Sequence, residues 1–182
     1  MILAIDQSYS GTGVCFIDKN GNIETGLIKT KSKDKWETRI DTILDALDFF
    51  FYNMAAQKDS PVEHVVIESY ALGSHSSSVF QLGELGGCIK YHFHKKWGKD
   101  VRTMLIAHPK MYIAGNGRAI KGAVMKGLRE KFGIIAKNDN VADAIAIGLT
   151  YKAYLNGDWE NTRYNQKLFQ KIKDYMGRKN NV

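Results

Sequence analysis

The sequence predicts an α/β protein built on a mixed five-stranded sheet with helices on both faces. Three observations carry that expectation. Residues 1–30 read as three short strands joined by hairpin-length links. Beyond them, apolar positions at helical spacing alternate with two further strand-like runs. With 182 residues, 44% of them hydrophobic, the chain is long enough for one full-sized core. Consecutive strands with tight links pair antiparallel and strands separated by helices pair parallel, so such a sheet contains both.

Residues 2–6 form the first strand, 13–18 the second and 23–30 the third. Asp18-Lys19-Asn20-Gly21-Asn22 joins the last two, and its Asn-Gly pair marks a hairpin. Gly11 and Gly13 permit a tight turn between the first two. Trp36, Ile40, Ile43, Leu44, Leu47 and Phe51 share one helical face, which predicts a long helix over about 34–54. After Pro61, residues 62–68 make a fourth strand whose apolar run fits the centre of a sheet. A Ser-rich loop at 73–78 precedes a second helix over 79–97, and 101–106 is the fifth strand. His108-Pro109-Lys110 and a loop at 114–118 lead to helices over 120–132 and 139–156. The expected organisation is one domain over 1–156 and a basic, partly helical extension over 157–182. That extension carries Arg163, Lys167, Lys171, Lys173, Arg178 and Lys179, with Leu168, Phe169, Ile172 and Tyr175 giving it an apolar face.

A net charge of +7 favours an anionic partner, of which nucleic acid is the commonest. Cys15 lies in a strand-like run and Cys88 in a helix-like one, so both read as small buried residues rather than a bridge. No zinc-ligand spacing occurs. The N-terminus enters the first strand without a basic leader, and no apolar run approaches ~20 residues, which excludes a membrane-spanning helix. A soluble, cytoplasmic protein is expected.

Three acidic residues each end or interrupt an apolar segment. Asp6 closes Ile2-Leu3-Ala4-Ile5, Glu68 closes Val65-Val66-Ile67, and Asp143 stands within Val141-Ala142-Asp143-Ala144-Ile145-Ala146-Ile147. A carboxylate in such a place is costly unless a cation or several donors compensate it. Convergence on one divalent metal is the simplest compensation, and oxygen-only ligands point to Mg²⁺ or Mn²⁺ rather than zinc. If the first and fourth strands are neighbours, Asp6 and Glu68 stand side by side at strand C-terminal ends, where open sheets place their sites. Ala142, Ala144 and Ala146 let the last core helix approach the sheet closely and bring Asp143 within reach. Asp139 and Asn140 precede it by four and three residues and share its face. Such a cluster suits two metals ~3.5–4 Å apart and metal-dependent phosphoryl transfer. Plainer readings exist for each residue. Asp6 fits an acceptor for backbone N–H groups of the 8–13 turn, and Asp139 and Asn140 fit helix caps. Lys110 and Lys121 fit solvated lysines, and His75, His92 and His94 show no ligand pattern.

Taken together, these motifs resemble the RuvC family of Holliday junction resolvases, of the ribonuclease H-like fold, over roughly residues 1–155. The anchors are Ile5-Asp6-Gln7-Ser8 with Thr12-Gly13, then Val66-Ile67-Glu68, then Gly115-Asn116-Gly117-Arg118-Ala119-Ile120-Lys121, and Ala142-Asp143-Ala144-Ile145-Ala146-Ile147. The resemblance implies a homodimer that holds branched DNA, especially a four-way junction, and cuts two strands symmetrically with one or two Mg²⁺ or Mn²⁺ ions per site. Asp6, Glu68 and Asp143 fall on the family's metal-binding carboxylates. Lys121 falls on an active-site basic residue and Lys110 on a second, and both, with Arg118, are candidates for DNA contact. Tyr70 lies where the family places an aromatic that contacts junction bases. Two departures stand out: Gln7-Ser8 replaces the usual Pro-Gly, and Asn140 occupies the fourth ligand position, where Asp139 is the substitute. The function expected is a structure-selective endonuclease that resolves four-way junctions and also cuts forks. The alternatives are a non-catalytic branched-DNA-binding module and an actin-like phosphotransferase, for which the chain is too short to hold two lobes.

Overall fold

A computed structural model describes residues 1–58, 61–69, 77–157 and 163–179. The strands are β1 (Ile2–Asp6), β2 (Gly11–Ile17), β3 (Ile23–Lys29), β4 (His64–Glu68) and β5 (Val101–Met104). The helices are α1 (Trp36–Lys58), α2 (Ser77–Trp97), α3 (Ala107–Ala114), α4 (Lys121–Phe132), α5 (Asp139–Asn156) and α6 (Arg163–Lys179). The sheet order is β3-β2-β1-β4-β5. β1–β2 and β2–β3 pair antiparallel, whereas β1–β4 and β4–β5 pair parallel. This is the expected mixed five-stranded sheet, with β1 and β4 adjacent at its centre.

Period-two alternation splits the strands between two cores. Leu3, Ile5, Val14, Phe16, Val65 and Ile67 pack against α1 and α2, through Ile43, Leu47, Leu85, Ile89 and Phe93. Ile2, Ala4, Cys15, Ile17 and Val66 face α5 on the other side, and α3, α4 and α6 complete that layer. Helices therefore cover both faces. Asp48 of α1 ties α1 to α2 by accepting hydrogen bonds from His92 (2.9 Å), Lys96 (2.5 Å) and Trp97 (2.7 Å). Both cysteines are free, Cys15 fully buried. Among the described residues no helix is long and apolar enough to cross a membrane.

The hairpin at Gly21 forms with a positive φ of 88°, and the Asp18 carboxylate accepts from the backbone N–H groups of Asn20 and Asn22. β5 ends at Met104, two residues before its expected limit, because a helix the sequence pattern did not reveal starts at Ala107. Pro109 sits in the first turn of α3, where a missing N–H costs no intrahelical bond. Gly115, at φ 73°, closes the helix by donating to the Met111 carbonyl.

α6 is part of the same core, with Leu168, Ile172 and Met176 buried in the α5-side cluster. Beneath it His108 is 6% exposed, set edge-on to the Tyr175 ring, and its Nδ1 has no partner among the described residues. Burial, aided by the Lys171 charge, pushes the His108 imidazole down to about 4 from an ordinary 6.5. The folded state thus holds fewer protons than the unfolded state between those values. Its contribution is complete above about pH 6.5 and is lost progressively as pH falls towards 4. Urea unfolding at pH 7 and pH 4.5 tests this: His108→Gln should lose less stability over that interval than the wild type. Equal losses in the two proteins would show that His108 is not the group responsible.

Candidate active site

The strand alternation that builds the cores also aims the acids. Ile2 and Ala4 of β1 belong to the α5-side core, so Asp6, two residues on, continues that side. Val66 of β4 does the same, and Glu68 follows it. The parallel register pairs Ile5 with Ile67, so Asp6 and Glu68 leave the sheet side by side at its C-terminal edge. α5 crosses directly above. Its Gly148 packs on Ala4, Cys15 and Ile17, and the backbone carbonyl of Asn140 lies over Gly13, which pairs with Asp6. That close approach holds Asp143, in the second turn of α5, over the two strand carboxylates.

The electrostatics fit a site that wants positive charge. Asp6 is 7% exposed, and its carboxyl is held well above the usual range, first by burial and then by Glu68 and Asp143. Glu68 is pushed up to about 7, mainly by burial, with Asp143 adding to it. Burial also raises Asp143. Asp6 and Glu68 leave adjacent strands at the same edge, and like charge so close opposes the ionisation of Asp6. Lys110 and Lys121 act in the opposite sense on both Glu68 and Asp143. A divalent cation would do the same more strongly, and all the donors are hard oxygens. Among the described residues, no three His, Cys, Asp or Glu side chains are already gathered tightly enough to hold an ion. Binding one would require the raised carboxyls to ionise and turn towards it.

The remaining residues divide into those at the cluster and those beside it. Lys121, at the first position of α4, donates to Asp139 in an ion pair that bridges α4 and α5. This pair raises Lys121 and lowers Asp139, which is 41% exposed at its side chain. The helix cap is neither Asp139 nor Asn140. Asn138 has the extended backbone of an N-cap, and its Oδ1 accepts from the Val141 N–H at 2.9 Å. Asn140, already inside the helix, sets its amide against Gly11 at the start of β2. Arg118 is exposed, in a turn where its N–H donates to Asn116. Lys110, on α3, is partly buried. Tyr70, like the Ser-rich loop through residue 76, lies outside the described residues.

Gln7, a departure from the motif after Asp6, has a task in the fold. It is 7% exposed, and its Nε2 donates to the Glu68 backbone carbonyl at 2.9 Å. Its Oε1 is buried beside Gly86 of α2, where a Cβ would come within 2.8 Å of it. Gln7 therefore pins the end of β4 to the end of β1, just where both acids sit.

The family model described as crossover junction endodeoxyribonuclease RuvC matches residues 2–151. A RuvC of this description from Brachyspira hyodysenteriae is 26% identical over 160 residues, spanning 82% of this chain and 91% of the relative. Another, from Gloeobacter violaceus, is 28% identical over 127 residues, 69% of each. The fold is similar to the Thermus thermophilus RuvC structure, with a TM-score of 0.64 and 20% identity over 86% of this chain and 96% of that one. The structure of T. thermophilus RuvC in complex with Holliday junction substrate superposes with a TM-score of 0.66 at 20% identity, over 86% and 95%.

Proposed function

Because the chain belongs to the crossover junction endodeoxyribonuclease RuvC family, we propose that it is a metal-dependent endonuclease that resolves four-way DNA junctions by paired, symmetric phosphodiester cleavage. The observation that carries this reading is the pairing of Asp6 and Glu68 at one strand edge beneath Asp143, inside the family match. The Thermus relative solved with a Holliday junction substrate supports the choice of partner. The active unit is a homodimer, one site for each of the two strands cut. The nuclease domain spans residues 1–156, and 157–182 extend it.

Asp6, Glu68 and Asp143 would hold the ion, Mg²⁺ with Mn²⁺ as a substitute, and Gln7 fixes the backbone from which Glu68 projects. When bound, the cation supplies Lewis acidity towards the scissile phosphate and acidifies the attacking water. Asn140 would take the fourth ligand position with a neutral amide oxygen, since Asp139 is engaged with Lys121. Lys110 and Lys121 stand beside the carboxylates and offset the charge that develops on the phosphate. Arg118, exposed before α4, meets the DNA backbone, and Tyr70 meets bases at the branch.

The test is cleavage of labelled four-way, forked and linear duplex DNA with Mg²⁺ or Mn²⁺. Paired cuts in the junction are the expected result, and cutting of all three alike would remove the structure selectivity. In the same assay Lys121→Ala and Lys110→Ala should each slow cleavage by about a hundredfold while changing junction binding far less. Equal losses in rate and binding would make these lysines backbone contacts only. Asn140 favours a second reading, a branched-DNA-binding module that cleaves poorly because an amide holds a hard cation weakly. Under that reading Asn140→Asp raises cleavage; an unchanged or lower rate discards it.

A further inference from the structure

We infer that α6 is a second DNA-binding element, which holds a duplex arm of the substrate alongside the active site by its phosphate backbone. The inference rests on the branched-DNA reading above and extends it to a segment beyond the family match, which ends at residue 151. Charge location is the first argument. α6 carries six lysines and arginines and a single aspartate, so this one helix holds five of the chain's seven net positive charges. The basicity of the protein is thus a local feature and not a general one. Local cationic stripes are the footprint of a polyanion, while a charge needed only for solubility has no reason to gather on one helix.

The position of α6 points the same way. β1, β4 and β5 run parallel, so their C-terminal ends share the edge that carries Asp6 and Glu68. β5 is the outermost strand on that side, and α3 starts just after it. α6 packs on α3 and β5, and its Tyr175 ring lies 5.8 Å from that of His108, at the start of α3. The basic helix therefore opens on the same edge as the carboxylates, beyond β5. Lys110 lies two residues after His108 and in the field of Glu68. Lys110 thus stands on the helix that lies between the cluster and α6.

α6 is also held rigidly. Leu168, Ile172 and Met176 anchor α6 in the core, whereas Lys167, Lys171 and Lys173 are exposed. A docked helix presents its cations without the ordering cost of a loose tail. Duplex arms are the partner that fits, because exposed lysines contact phosphates at no particular base sequence.

The experiment is junction binding by the full-length protein, in Ca²⁺ to prevent cutting, measured across a series of salt concentrations. The test variant is Lys167→Gln/Lys171→Gln/Lys173→Gln. The control is Lys19→Gln/Lys152→Gln, at the opposite edge of the sheet beside the β2–β3 hairpin. The triple variant should lower the slope of log K against log salt by about 1 to 2 and weaken binding at ~0.1 M salt roughly tenfold. The control should keep the wild-type slope, as should Lys→Arg changes at the same three positions. An unchanged slope in the triple variant, or an equal fall in the control, overturns the assignment of α6. Wild-type protein that shows no junction binding at low salt would instead overturn the function reading on which it rests.

Discussion

Asp6→Asn is expected to abolish strand cleavage and yet to give a folded protein that melts at a higher temperature than the wild type in metal-free buffer. The two effects have one cause. Asp6 is buried, faces Glu68 and Asp143, and holds a carboxyl raised well above its usual range. At pH 8 that arrangement costs free energy unless a cation is present, because burial and like charge both oppose ionisation. An asparagine keeps the shape, carries no charge and donates to Glu68. Relief on the order of 1–2 kcal/mol, a few degrees in melting temperature, is the expected scale. As a proposed ligand, Asp6 also contributes to metal binding, and loss of several kcal/mol of transition-state stabilisation corresponds to about a thousandfold or more in rate. Melting in EDTA and again in excess Mn²⁺ separates the contributions. Wild type should gain stability with the ion, by mass action, and the variant far less. Near-normal cleavage by the variant, or a lower melting temperature in EDTA, would remove Asp6 from the site.

The same cost of burial explains why the gathering of these carboxyls, though not their role, was legible in the sequence. Asp6 and Glu68 break apolar strands at positions where a carboxylate is expensive, and an expense of that kind is visible without coordinates. Strand order was legible for a different reason. Short links force β1–β2 and β2–β3 to pair antiparallel, while α1 and α2 each connect strands that end up parallel, which leaves few arrangements of five strands. What escaped depends on partners remote in sequence or on backbone shape. α3 has eight residues with a proline in its first turn, too short for a periodic signal and carrying a residue that reads as a breaker. The choice of Asn138 over Asp139 and Asn140 as cap is made by one residue's extended backbone, since all three side chains can cap. Gln7 gains its task from a carbonyl sixty-one residues away. α6 showed its apolar stripe, but not the surface of α3 and β5 that the stripe covers.

Gly13→Ala should produce the largest loss of stability among single-methyl additions near the site, and it tests how Asp143 is positioned. A Cβ at Gly13 would stand 2.2 Å from the backbone carbonyl oxygen of Asn140 and 2.6 Å from its carbon. Both obstacles are main chain, so no rotamer change relieves them, and either β2 or the start of α5 must move. Overpacking of this kind costs about 1–3 kcal/mol, and a clash with backbone belongs at the upper end. The displaced segment is the one that carries Asn140 and, one turn on, Asp143, so the shift also separates Asp143 from Asp6 and Glu68. Urea unfolding measures the first effect, and Mn²⁺ affinity at a temperature where the variant stays folded measures the second. Gly177→Ala is the matched control. It lies within α6, an added Cβ there meets nothing within 4 Å, and replacing a helical glycine by alanine should stabilise by about 1 kcal/mol. A Gly13→Ala protein as stable as wild type would mean that α5 does not rest against β2 at this distance. A destabilised variant with unchanged Mn²⁺ affinity would mean that Asp143 is held by the rest of α5 rather than by its approach at Gly13. Loss of both would tie the proposed metal site to one hydrogen atom, the side chain that lets a helix lie on a strand.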